Sequence, residues 1–191
     1  MIRVISGRYK GRRLKRVPDS RVRPMPDKLK GSIFSILAES VKGSAFLDGF
    51  AGTGSVGIEA LSRGAETAVF IEEFPTAVKI LKDNLARCGA EDHAVVVDRE
   101  FNRAVIELAR RGARFDIVFL DPPYKLLEDR NPLKVIFKRE ILSPSGLIIL
   151  RRHFKIAPRI KEFARVRAVR IGDDVLDFYR NHPLAGPGKI V

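Results

Sequence analysis

The sequence predicts an α/β fold with a mostly parallel sheet covered on both faces. Short apolar runs alternate with helical patterns from residue 45 to residue 151. Those runs are continuously apolar rather than alternating with polar residues, as strands buried on both faces are. A last pair, RVRAVRIG and DVLDFYRN, turns at Gly172-Asp173 and adds an antiparallel terminal hairpin. Ligands of such sheets sit beyond the carboxyl ends of the strands, so functional residues are expected just after them.

Residues 2–17, IRVISGRYKGRRLKRV, alternate β-branched or apolar residues with basic ones, punctuated by Gly7 and Gly11, and read as an irregular basic hairpin. PDSRVRPMP (18–26) is a linker stiffened by three prolines. Asp27 is expected to cap a helix reaching about Ser40, with Leu29, Ile33, Phe34 and Leu37 on one face. AFLDGF (45–50) is the first strand of the main sheet, followed by a helix from about Ser55 to Ser62. TAVFIE (67–72) is the second, and the next helix starts at Pro75 and stops at Gly89. AVVV (94–97) is the third, with a helix to about Arg111. FDIVFL (115–120) is the fourth, with a helix ending near Leu142, where Pro144 and Gly146 act as the stop. GLIILR (146–151) is the fifth, and a short basic helix is expected before the terminal hairpin. This divides the chain into a basic hairpin and linker (1–23) and one domain (24–191).

A chain of 191 residues, 45% hydrophobic and 31% charged, is of globular composition. It has no run near the roughly 18 apolar residues of a membrane span, and its N-terminus lacks a signal-peptide core. Cys88 is the one cysteine, and His93, His153 and His182 lie far apart, so neither a disulfide framework nor a metal-site spacing is present. A monomeric cytoplasmic protein, with neither metal nor membrane as partner, is expected. Net charge is +13, of which residues 1–23 supply +8 and residues 151–170 supply +7, leaving −2 for the other 148. Base concentrated in two places points to a polyanionic partner. The competing reading is the Lys/Arg-rich surface of a heat-adapted protein.

Four strand ends carry the chemistry. After the first comes DGFAGTGSVGIEA (48–60), a tight glycine loop running into a helix N-terminus. It is neither the G-x-G-x-x-G pyrophosphate fingerprint nor a P-loop. Asp48 suits a cationic or amino-bearing ligand. After the second strand, Glu72 is placed to accept from both hydroxyls of a ribose, against the alternative of a solvated charge at a helix start. After the third, Asp98 or Glu100 is a candidate acceptor for an adenine amino group. After the fourth comes DPPY (121–124). Asp121 and the Pro122 carbonyl, fixed by Pro123, offer two acceptors to a planar exocyclic amine, and Tyr124 offers a stacking face. Such an amine is a poor nucleophile because its lone pair is delocalised. Two aimed acceptors stabilise the positive charge that grows as it attacks a methyl donor.

Together these residues resemble the S-adenosyl-L-methionine-dependent methyltransferases built on a Rossmann-like seven-stranded sheet. More narrowly, the chain is similar to the RsmD family of 16S ribosomal RNA (guanine-N2)-methyltransferases. The similarity runs through RVISGRYKGRRLKRVP, RPMPDKLKGSIFSIL, LDGFAGTGSVGIEALSRGA, FIEEFPTAVKILKDNL and FDIVFLDPPY. It implies that Asp48, Phe50, Ala51, Gly52 and Gly54 cradle the cofactor and that Glu72 holds its ribose, while Asp98 is a candidate for its adenine by strand position alone. Arg23 and Lys28 would close over its methionine end. It also implies ribosomal RNA or a small-subunit ribosomal particle as partner. Arg8, Lys10, Arg12, Arg13, Lys15, Arg16, Arg151 and Arg152 are the candidate RNA contacts, with the N-terminal hairpin approaching the catalytic face. Three departures stand out: Met25 replaces a usual threonine, Gly31 a usual glutamate, and VVVDREFNRA a usual Gly-Asp-Ala pattern. DPPY also serves adenine N6 or cytosine N4, and a non-catalytic RNA-binding module on the same fold is the further alternative.

Overall fold

The computed structural model describes residues 2–18, 25–123, 126–127 and 131–182. Seven strands form one sheet: β3 (Ala45–Asp48), β4 (Thr67–Glu72), β5 (Ala94–Asp98), β6 (Phe115–Leu120), β7 (Leu142–His153), β8 (Ala164–Ile171) and β9 (Asp174–Arg180). Their order is β5-β4-β3-β6-β7-β9-β8, parallel through β7 and antiparallel at β9 and β8. The chain leaves β3 toward β4 and β5, then returns to place β6 on the other side of β3, so the crevice opens over the ends of β3 and β6.

Helices α1 (Asp27–Leu37), α2 (Ser55–Ser62) and α3 (Pro75–Cys88) cover one face, and α4 (Phe101–Arg110) and α5 (Pro132–Arg139) the other. The first core holds Phe34, Phe46, Phe70 and Phe178, and the second Leu47, Phe101, Phe115 and Ile148, all essentially buried. Cys88 is buried in the first core, as expected of a small apolar residue. Gly172 takes a left-handed φ of 62° at the β8–β9 turn, a conformation glycine adopts without strain.

Several boundaries differ from expectation, each for a local reason. Pro26, not Asp27, occupies the N-cap of α1; Asp27 opens the first turn and pairs with Arg3. The helix ends at Leu37 and continues to Val41 as a 3-10 turn. β5 runs one residue further, to Asp98, while α4 ends at Arg110 as expected. α5 ends at Arg139 because Glu140 turns left-handed. Pro144 and Gly146 lie inside β7, where the pairing with β6 shifts register. No helix lies between β7 and β8: residues 156–161 carry no regular structure, and the Arg152 guanidinium binds the Ile156 carbonyl.

Strands β1 (Ile2–Arg3) and β2 (Arg13–Leu14) form the N-terminal hairpin, with Ile2, Val4, Tyr9 and Leu14 inserted into the first core. Ile5 and Ser6 donate backbone N–H groups to Glu59 at 2.8 and 3.0 Å. Arg8 N–H donates to the Ser62 carbonyl at 2.7 Å, and a Cβ on Gly7 would stand 1.8 Å from that oxygen. The hairpin tip therefore rests on the last turn of α2, roughly 12 Å along that helix from the glycine loop at its start. The expectation that the hairpin approaches the catalytic face thus fails for its tip, since Arg8 and Lys10 lie at the far end of α2, while its Lys15 end is tied through Asn84 to the glycine loop.

Candidate active site

A cavity of about 440 Å³ opens where β3 and β6 end, within the usual range for a small-molecule site. Its wall includes Asp48, Gly52, Glu72, Phe101, Asp121 and Arg151. Asp48 ends β3 with 1% of its surface exposed and accepts a hydrogen bond from Gly57 N–H at 3.0 Å. Burial pushes its pKa up to about 7; the Gly57 bond opposes that shift, and the charges of Asp121 and Glu72 add to it. A buried carboxyl this reluctant to ionise is matched by a cationic ligand group.

The glycine loop is held from two sides. Gly52, at φ 53°, donates its N–H to Glu72 Oε2 at 2.7 Å, while Phe74 N–H donates to Glu72 Oε1 at 2.9 Å. Glu72 is thus a fixed element of the cavity wall and not a solvated charge. Asn84, fully buried on α3, donates to the Thr53 carbonyl at 2.9 Å and accepts from Lys15 N–H at 2.7 Å. It joins the glycine loop to the N-terminal segment. Nothing in the sequence marks it, because an asparagine on an amphipathic helix reads as surface.

Phe50 stacks on Phe101 with centroids 4.7 Å apart at 20°, and both flank the cavity with Ala51 and Arg99. Gly54, at φ 76°, caps α2; a Cβ there would meet Leu81 Cδ1 at 2.2 Å, so glycine is required on both counts. Met25, 7% exposed, supplies an apolar wall at the position where the resembled family usually has a threonine. Lys28 and Asp98 are exposed and off the wall. Glu100 accepts from Arg103 N–H as the cap of α4, and its Oε1 is buried with no hydrogen-bond partner among the described residues. Arg23 and Tyr124 lie outside the described residues.

Asp121, Pro122 and Pro123 leave β6 on the cavity side. Arg151 Nη1 donates to Asp121 Oδ2 at 2.7 Å, and its Nε donates to Asp174 Oδ1 at 3.0 Å. Burial raises the Asp121 pKa despite the opposing Arg151 charge and hydrogen bond, with Asp174 adding to the rise. Asp121 still keeps 28% of its side chain open. Arg151 is therefore a wall residue bound to two carboxylates, not a free cation. Arg152, read as an RNA contact, is 9% exposed, with its guanidinium bonded to Asp177 and the Ile156 carbonyl. Consecutive strand residues face opposite sides, so the two arginines part company, and neither is available to a phosphate as expected. Lys10, Arg12, Arg13, Lys15 and Arg16 are exposed, and Lys15 pairs with Asp83 at 2.6 Å.

Strand order, the antiparallel terminal pair and a cavity at the β3–β6 crossover define a Rossmann-like methyltransferase fold. The family model described as conserved hypothetical protein 95 matches residues 2–180. The chain is 34% identical over 149 residues to ribosomal RNA small subunit methyltransferase D of Haemophilus influenzae, spanning 77% of this chain and 76% of that one. To the protein of the same name from Escherichia coli K12 it is 40% identical over 131 residues, 67% of this chain and 64% of that one. A solved structure of a hypothetical protein from Thermus thermophilus superposes with TM-score 0.81 at 29% identity, covering 94% of this chain and 99% of that one. This chain belongs to the conserved hypothetical protein 95 family, the RsmD family that its sequence resembles.

Proposed function

We propose that the protein transfers a methyl group from S-adenosyl-L-methionine to the exocyclic N2 amine of a guanine in small-subunit ribosomal RNA. The observation that carries the reading is the Asp121–Pro122 corner on the wall of the cavity at the end of β6. The residues fit the cofactor: a buried, hard-to-ionise Asp48 for its amino group, Glu72 for its ribose, and Phe50 and Phe101 for its adenine side. Bound there, S-adenosyl-L-methionine supplies an electrophilic methyl group on a sulfonium, which departs as a thioether. The protein's own work is positioning. Asp121 and the Pro122 carbonyl accept the two amine hydrogens, turn the nitrogen lone pair toward the methyl carbon, and stabilise the charge that develops as the N–C bond forms. The nitrogen becomes acidic only then, so its proton leaves after transfer and no prior base is needed.

A duplex hides this amine, so the target is a loop nucleotide or one flipped from its stack. RNA is held by the exposed base of the N-terminal hairpin and by a second surface where β7 ends. There the Arg170 guanidinium stacks 4.1 Å from the Phe154 ring centroid, with Lys155 5.8 Å away. Guanine is favoured by the resemblance to the RsmD family; the ribosomal substrate is favoured also by the names of the relatives. The test is transfer from labelled cofactor to small-subunit RNA and particles, followed by nucleoside analysis. N2-methylguanosine is expected. N6-methyladenosine or N4-methylcytidine would overturn the base assignment, and tight cofactor binding with no transfer would leave a binding module.

A further inference from the structure

Arg151 draws attention because its charge reads as an RNA contact and its surroundings do not. β6 and β7 are parallel with Leu120 opposite Leu150, so Asp121 and Arg151 emerge side by side at the cavity end of the sheet. The Arg151 side chain is only 13% exposed, and its fork is divided between Asp121 on one strand end and Asp174 on another. It meets a phosphate only by abandoning both. Asp121 Oδ2 is occupied by the guanidinium, and no described residue donates to Oδ1. One oxygen is pinned and the other is left for the amine.

We infer that Arg151 is a positioning residue for the proposed methyl transfer, holding Asp121 as an ionised acceptor with one oxygen aimed at the substrate amine. The inference rests on the reading of the Asp121 corner given above. The charged groups facing Asp121 are Arg151 from β7, Asp174 from β9 and Asp48 from β3. Burial and Asp174 favour the protonated form, and Arg151 opposes them. A protonated Asp121 is a donor on the oxygen that must accept, so it repels the amine hydrogen it is meant to hold. Asp174 begins β9 just after the Gly172-Asp173 turn, so the β8–β9 hairpin sets the position of the guanidinium.

Arg151→Met and Arg151→Lys test this against wild type with four readouts. These are thermal melting, dissociation constants for S-adenosyl-L-homocysteine and for RNA, kcat against pH, and the Asp121 carboxyl titration in the ligand-free protein by ¹³C NMR. For Arg151→Met the expected result is a kcat at least about 100-fold lower, as for loss of one preorganised group in an active site. Its acid limb and the Asp121 titration both move to higher pH, while both dissociation constants stay within about threefold. Arg151→Lys, which keeps the charge but not the fork, recovers part of kcat and most of the titration shift, and it carries the test if Arg151→Met does not fold. An RNA affinity more than about tenfold weaker with kcat retained would overturn the inference and return Arg151 to phosphate binding. So would an Asp121 titration that does not move. If wild type methylates no amine, the functional reading fails, yet the titration and RNA affinity still decide what Arg151 does.

Discussion

Lys30 Nζ lies 3.4 Å from Glu59 Oε2, and neither side chain is exposed to solvent. Burial lowers the Lys30 pKa even with Glu59 opposing. Lys30 also donates to the Arg3 carbonyl at 2.6 Å, and Glu59 accepts from Ile5, Ser6 and Arg63. One buried ion pair thus fastens the N-terminal hairpin to α1 and α2. Breaking such a pair leaves an uncompensated charge, so Glu59→Ala is expected to cost about 3–5 kcal/mol in urea unfolding. Amide exchange at residues 5 and 6 should rise with it. A cost below about 1 kcal/mol would mean the hairpin is held by its apolar residues alone.

Asp48 is expected to make cofactor binding pH-dependent. Its ligand-free pKa of about 7 means that a ligand carrying an ammonium group binds the ionised form preferentially. Affinity for S-adenosyl-L-homocysteine should therefore rise with pH up to about 7 and level off above. It is expected to be about tenfold weaker at pH 6 than at pH 8 by calorimetry. The stability sign is opposite. A carboxyl whose folded pKa is raised favours folding below its unfolded value of 3.8, and that contribution is lost as pH climbs through about 7. At pH 8, Asp48→Asn should stabilise the ligand-free protein by up to about 4 kcal/mol, with the pH dependence of binding gone.

Gly31 sits inside α1, and a Cβ there would meet nothing within 4 Å. Helix propensity then dominates, and Gly31→Ala should stabilise by about 1 kcal/mol, a rise of roughly 2–4 °C in Tm. An unchanged or lower Tm would show that the position is needed as glycine for something other than the helix.

Both exposed basic regions should contribute to RNA binding, in contrast to Arg152. Lys155→Ala with Arg170→Ala is expected to weaken RNA binding and shallow its dependence on salt, as should neutralising Arg12, Arg13, Lys15 and Arg16. Cofactor affinity should hold in both. Arg152→Ala should instead lower stability, because it leaves the buried Asp177 with only its 3.6 Å pairing to Arg165, and should leave the salt slope alone. A salt slope reduced by Arg152→Ala but not by the paired variant would reverse this assignment.

Strand ends were the legible part of the sequence. Apolar runs fix where β3, β4 and β6 stop, and that places Asp48, Glu72 and Asp121 on one cavity wall. What stayed hidden were side-chain partnerships across the fold. Charge at Lys30 and Glu59 reads as solvated surface until α1 and α2 are packed together. Arg151 and Arg152 look equivalent in the sequence, but the strand sends one into the cavity and the other against Asp177. Pro144 and Gly146 read as a helix stop, whereas the sheet absorbs them as an irregularity in β7. The basic stretch after β7 reads as a helix, whereas residues 156–161 carry no regular structure and the Ile156 carbonyl is bound by Arg152.

The most direct test is the turnover of Asp121→Ala with both substrates bound. Dissociation constants for S-adenosyl-L-homocysteine and RNA are measured first, then single-turnover methyl transfer at saturating concentrations of each substrate. The Asp121–Pro122 mechanism predicts both substrates retained and a transfer rate lower by about 100-fold or more. A near-normal rate in that variant would contradict it.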